Sequence, residues 1–267
     1  EASYTNYDHA PDFFGRSYPG GAQVFPGFRP TNDLSKFRNS IAGYLDLEAD
    51  FSEKFMMTGA LRYENYSDFG GTLNFKVASR YKVSENFNLR GAVSTGFRAP
   101  SLHQIYYNAT ATQFNDAGIP EEVGTFSNDS RVAKELGIPT LKQEESASAS
   151  IGFTATMPES NIKIAVDGYF IAIEDRVTLT DTFSATTPEL EEAFERAGAG
   201  KAALFANAID TESKGLDVVI THKATVNDVR IKTDLSGTFS QTRQVDDIHA
   251  SQILADGGQI DRYFSNN

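Results

Sequence analysis

The chain has 267 residues, no cysteine and a formal net charge of -12. That charge excludes the basic face a nucleic-acid ligand requires, and the missing thiols exclude disulfides, thiolate metal sites and cysteine catalysis. No run of about 18 apolar residues is present, so no transmembrane helix is expected; a mean hydropathy of -0.37 reads as soluble, although alternating barrel strands dilute hydropathy in the same way.

Residues 1 to about 36 are rich in Gly, Pro, Asp, Asn and aromatics and carry no period, so they read as loop. No basic start followed by an apolar block appears between Glu1 and Pro30. With a loop-like beginning and no closing strand before Asn267, the chain is expected to be a piece of a longer protein. Strand alternation begins in IAGYLDLEAD, where Ile41, Gly43, Leu45 and Leu47 face away from Tyr44, Asp46 and Glu48. FSEK is a short turn, FMMTGALRYENY a less regular strand, and Ser67 to Gly71 a turn by composition. TLNFKVASRYKV is the clearest strand: Leu73, Phe75, Val77, Tyr81 and Val83 share one face, and Asn74, Lys76, Arg80 and Lys82 the other. The tight turn Ser84-Glu85-Asn86 returns the chain into NFNLRGAVSTGFR. There Phe87, Leu89, Gly91, Val93, Thr95 and Phe97 oppose Asn88, Arg90, Ala92, Ser94, Gly96 and Arg98.

Pro100 removes a ladder donor and biases Ala99 to extended geometry, which ends that strand. A long irregular region follows to about Lys142, with a short helix at Ser130 to Gly137. SASASIGFTATM and IKIAVDGYFIAIED form the next hairpin about Pro158-Glu159-Ser160. A second long loop is expected from about Asp175 to Thr211. It carries a helix at Pro188 to Arg196, with Thr187 as N-cap, Gly198 as stop and Leu190, Ala193, Phe194 and Ala197 as the apolar stripe. KGLDVVITH, a turn near Thr225 to Asp228 and VRIKTDLSGTFSQTR complete the strands, after which the sequence turns polar.

The connections sort by length, tight turns alternating with longer loops. This is the pattern of an outer-membrane β-barrel, with short periplasmic turns and long extracellular loops. A soluble sandwich has no reason to sort its turns so. The faces agree: one carries Val, Ile, Leu and Phe with aromatics near the strand ends, the other Lys, Arg, Asp, Asn and Ser. A sheet packed on a soluble core is the competing explanation.

LRGAVSTGFRAPSL resembles the signature strand and loop entry of TonB-dependent outer-membrane receptors. AQVFPGF, RNSIAGYLDLEADF, LRYENYSDFGGTLNFKVASRYKV, LKQEESASASIGF, VDGYFIAIEDRV and FANAIDTESKGLDVVI are similar to successive family segments, in order. The resemblance implies an all-β antiparallel meander, a portion of about eight strands from a 22-stranded transmembrane barrel with long extracellular loops carrying short helices. Residues 1–267 would be part of the barrel domain, with the plug, the energy-coupling box and the remaining strands outside this chain. The resemblance further implies import of a scarce nutrient of siderophore, cobalamin or oligosaccharide class at the outer membrane. The TonB complex would act through the plug, the lipid bilayer would surround the wall, and neither nucleic acid nor a cofactor would take part.

Other chemistry is thin. His9, His103, His222 and His249 have no ligand spacing, so no metal site is expected. Ala197 to Lys201 (AGAGK) is close to a phosphate loop but lacks its earlier Gly and its following Ser or Thr. Ser94 in AVSTG nears a nucleophile elbow, yet no helix follows, so no catalytic residue is assigned. Glu144-Glu145 and Glu189, Glu191 and Glu192 read as solvated carboxylates. Phe13, Phe14, Tyr106, Tyr107 and Phe114 are loop aromatics that either pack the loops or meet substrate; Tyr106, Tyr107 and Phe114 are the substrate candidates. Gly96, Phe97, Arg98 and Pro100 form the structural motif, Arg98 pointing lumenward by parity to brace the loop base or meet the plug. A soluble β-rich carbohydrate-binding protein is the alternative function; a hydrolase lacks a visible acid/base pair.

Overall fold

The computed structural model describes residues 2–4, 32–114, 118–197 and 199–263. The readings made for residues 5–31, with His9, Phe13 and Phe14, and for Gly198 lie outside them. In chain order the elements are β1 (Ala2–Tyr4), β2 (Leu34–Lys36), β3 (Ser40–Ser52), β4 (Phe55–Tyr66), β5 (Gly70–Ser84), β6 (Phe87–Arg98), α1 (Leu102–Tyr106), β7 (Ala109–Phe114) and β8 (Pro120–Phe126). They continue as α2 (Arg131–Glu135), β9 (Glu144–Met157), β10 (Ile162–Leu179), β11 (Phe183–Ser184), α3 (Pro188–Ala197), β12 (Lys201–Val226), β13 (Val229–Val245), α4 (Gln252–Asp256) and a 3-10 turn at Ile260–Tyr263.

Eight long strands, β3, β4, β5, β6, β9, β10, β12 and β13, lie side by side, each antiparallel to the next, as the alternation and the resemblance imply. At one end every turn is tight. Ser52 Oγ accepts from the Lys54 and Phe55 amides, and Ser84 Oγ from the Asn86 amide. Asn161 and Asn227 take φ values of 51° and 48°, a left-handed geometry that Asn tolerates better than most side chains. At the other end, residues 99–143 and 180–200 make long excursions.

The register turns sequence alternation into rows. One outward row runs Phe55, Tyr81, Leu89, Phe153, Val166 and Val218 across six strands. The row beside it faces the other way and reads Met56, Arg80, Arg90, Gly152, Asp167 and Asp217. Among the described residues no second layer covers the apolar side: Leu216, Phe75, Val93, Leu45, Phe239 and Ile151 are between 42% and 73% exposed. A soluble sheet would bury those positions, because each large aliphatic or aromatic side chain gains about 1.5–3 kcal/mol on burial. The packed core lies elsewhere, where the long connections fold together.

Four expectations need correction. The segment read as loop to about residue 36 holds β1 and β2, which pair antiparallel through Ala2–Lys36, Ser3–Ser35 and Tyr4–Leu34. The loop placed at about Asp175 to Thr211 is shorter, because β10 continues to Leu179 and β12 begins at Lys201. The strands outrun their apolar alternation there, since the upper part of β12 packs against other connections rather than dividing two environments. The irregular region from Ala99 to Lys142 holds α1 and the β7–β8 hairpin, and β8 pairs parallel with β12 (Val123 to Phe126 with Lys201 to Leu204), so the sheet is mixed. The polar segment after β13 folds into α4 and the 3-10 turn, burying Leu254 and Tyr263. The two expected helices are present. Ser130 Oγ caps α2 through the Ala133 amide, with Gly137 at φ 70°, and Thr187 Oγ1 accepts from the Leu190 amide of α3.

Candidate functional site

Two surfaces can carry function: the polar face of the sheet and the cap built from its long connections. On the polar face, like charges stand directly opposite one another at Arg80–Arg90 and at Asp167–Asp217, an arrangement that costs free energy. It is offset by an ion pair that reaches across the intervening strand. Arg90 Nε donates to Asp167 Oδ1 at 2.7 Å and Nη2 pairs with Oδ2, directly over Gly152. Glycine is required beneath this bridge. A Cβ at position 152 would overlap the Asp167 carboxylate and lie 2.5 Å from the Val166 carbonyl oxygen. Gly152→Ala should therefore break the pair and cost about 1–3 kcal/mol. Gly91→Ala, whose Cβ meets only the Ser150 carbonyl oxygen at 3.5 Å, should cost less; urea unfolding of the two variants checks the difference.

Nearer the cap, Ser94 and Ser148 share a hydroxyl hydrogen bond of 2.8 Å, which occupies the serine of the elbow-like motif within the sheet. Above them Arg98 Nε donates to Glu144 Oε2 at 2.7 Å, while Glu144 Oε1 accepts from the Val177 amide at 2.7 Å. Glu144 thereby ties β6, β9 and β10 at the base of the cap. Phe97 meets Tyr66 edge-on at 5.8 Å, and Tyr66 stacks on Phe69 at 4.6 Å. Arg38 lies over both of the latter rings while holding Asp68 through two nitrogens. A Cβ on Gly96 would come within 2.9 Å of Ser146 Oγ. Pro100 is fully buried, and Ser101 after it starts α1 with a capping box to Gln104. The ladder between β5 and β6 ends at Lys76 and Ser94. Above that point the Phe75 amide bonds to Thr95 Oγ1 and a cavity of about 250 Å³ opens, lined in part by Thr72, Asn74 and Ser146.

The cap has a core of its own. Phe126, Val132, Leu136, Phe183, Leu190, Phe194, Leu204, Leu254 and Tyr263 are buried together, drawn from both excursions, from the segment after β13 and from β12. Two asparagines stitch the excursions as backbone would. Asn128 donates to the Pro139 and Phe205 carbonyls and accepts from the Leu141 amide; Asn207 donates to the Lys142 and Asp175 carbonyls and accepts from the Lys142 amide. Sequence reasoning missed both, because an Asn in a loop reads as turn composition until its partners, up to 77 residues away, are known.

Of the three substrate candidates, Tyr106 ends α1 with the Lys36 ammonium 4.5 Å from its ring centroid, and Tyr107 caps the same helix. Phe114 stands apart at the end of β7, 60% exposed. A packed cap seated on a wall of alternating apolar and polar rows can present side chains to a ligand from outside and a charged, water-compatible face within.

A family model described as TonB dependent receptor-like, beta-barrel, matches residues 1–263. No match is found among curated proteins. The chain is similar in structure to the siderophore receptor PirA from Pseudomonas aeruginosa, with 15% identity, a TM-score of 0.59, and 80% of this chain and 37% of that one covered. It is similar to a mutant of the ferric enterobactin receptor PfeA from Pseudomonas aeruginosa (12%, TM-score 0.54, 75% and 26% covered). It is also similar to the RagAB peptide importer (10%, TM-score 0.54, 80% and 23% covered). Identities this low establish the fold alone, and the chain spans between 23% and 37% of the length of these relatives.

Proposed function

The chain belongs to the TonB-dependent receptor β-barrel family, and from that we propose that it forms eight strands of the barrel wall of an outer-membrane nutrient importer driven through TonB. Residues 1–267 are then part of the barrel domain, and the plug through which TonB acts lies outside this chain. The observation that carries the reading is the uncovered apolar face set against an ion-paired opposite face. On β10 the outward residues from Ile162 to Ala172 include Ile164, Val166 and Phe170, and Glu174 follows them. The ten steps from Ile162 to Ala172, at about 3.3 Å each and tilted by roughly 40°, rise about 25 Å, the height of the apolar band of such barrels. That match supports a lipid-facing wall and counts against the soluble carbohydrate-binding alternative.

The cap is then extracellular, and Tyr106, Tyr107 and Phe114 are its substrate-facing candidates. PirA is a siderophore receptor, PfeA a ferric enterobactin receptor and RagAB a peptide importer; a scarce nutrient of siderophore, cobalamin or oligosaccharide class is proposed for this chain. Uptake by a strain deleted for the full-length gene tests the reading. Loss of uptake of one such nutrient, restored by the gene and abolished by uncoupling the inner membrane, is expected. Recovery of the full-length protein in the soluble fraction would overturn it.

A further inference from the structure

Where the upper ends of β10 and β12 meet the segment that follows β13, three side chains far apart in sequence converge. Asp175 lies on β10 and Asp210 on β12, and His249 is held there by its backbone amide, which bonds to the Ala208 carbonyl at 2.9 Å. Asp175 Oδ1 is 3.5 Å from His249 Nδ1, and Asp210 Oδ2 is 3.4 Å from His249 Nε2. Each carboxylate is anchored by its other oxygen. Lys142 Nζ sits 2.7 Å from Asp175 Oδ2, and the Asp175 amide donates to Asp210 Oδ1 at 2.8 Å. The near oxygens are thus turned toward the imidazole at a spacing longer than a good hydrogen bond, whose usual N···O distance is about 2.9–3.0 Å. An ion can take only one of the two ring nitrogens; the carboxylate facing that nitrogen stands at about the 3.4 Å that separates donors 2.0–2.1 Å from zinc, and the ligand atom of the second carboxylate lies within 4.8 Å.

One donor atom from each residue lies within 4.8 Å of the other two, and no other group of three or more His, Asp or Glu converges in this way among the described residues. The side chains are 20%, 16% and 37% exposed, enclosed but reachable. Calcium and magnesium prefer all-oxygen sites, whereas an imidazole with two carboxylates suits a borderline ion. Lys142 and the Asp175 amide hold the carboxylates from behind, as outer partners of metal ligands do. We propose that Asp175, Asp210 and His249 bind a divalent transition ion of the zinc class, with one position open to water. The bound ion fastens the segment from Asp246 to Tyr263 onto the strand ends. The site stands on these residues alone and does not depend on the transported nutrient.

The test uses the full-length receptor in detergent, stripped with chelator and titrated with zinc chloride while bound metal and thermal midpoint are followed. The unsubstituted protein should bind one more equivalent than Asp210→Asn or His249→Ala, and magnesium at the same concentration should not displace it. Zinc should raise the midpoint of the unsubstituted protein and leave both variants unmoved. Asp210→Asn preserves volume, so it keeps the comparison valid if the alanine variant folds poorly. Equal zinc stoichiometry in all three proteins would overturn the proposal. So would a thermal midpoint of the unsubstituted protein that zinc leaves unchanged.

Discussion

Replacing Phe183 with alanine is expected to cost the cap about 3–5 kcal/mol, the range for emptying a large aromatic from a packed interior. Phe183 is fully buried, meets Tyr263 edge-on at 5.3 Å and pairs across β11 with Ala202. Removing its ring takes contacts from the β12 wall and from the segment after β13 at once. The buried cluster lies in the long connections and the upper strand ends, and none of its described members belongs to the apolar rows of the sheet. The loss should therefore be local. Hydrogen exchange should show faster exchange throughout α2, α3 and α4, with the ladders among β4, β5, β6 and β9 unchanged. Protection lost equally in both regions would mean that the cap and the wall unfold together.

The second large effect concerns the apolar face. Ile151 stands midway along β9, flanked by Gly91 and Gly168, and is 73% exposed because neither neighbour offers a side chain. Arginine there would meet lipid near the middle of the proposed band, at a cost of about 2–4 kcal/mol. Ser150→Arg, one residue earlier, places the same charge on the polar face and should cost far less. Reversible urea unfolding of the full-length protein in detergent or lipid measures both. Equal destabilisation by the two substitutions would sink the assignment of the faces, because a one-residue step along a strand changes nothing except the side from which the group projects.

The eight long strands were legible because each separates two environments, and period-two alternation records that separation locally. Leu73, Phe75, Val77, Tyr81 and Val83 needed no knowledge of their neighbours to be placed on one face. The strand limits at Leu179 and Lys201 were not legible, since the alternation stops where the strand leaves the two-environment zone while its hydrogen-bonded ladder continues. The β7–β8 hairpin was hidden for a related reason. ATATQF and PEEVGTF carry little large apolar alternation, and what makes them strands is pairing with each other and with β12.

By itself the sequence determined the number, order, direction and facing of the eight long strands, because those follow from side-chain periodicity and turn chemistry within a few residues. It also carried the family, through several ordered segments that no single strand could supply. Only the tertiary structure decided how the connections fold over one another, that Glu144 ties three strands, and that His249 meets Asp175 and Asp210. Those are contacts between residues tens of positions apart, and proximity of that kind is created by chain closure and leaves no period in the sequence to read.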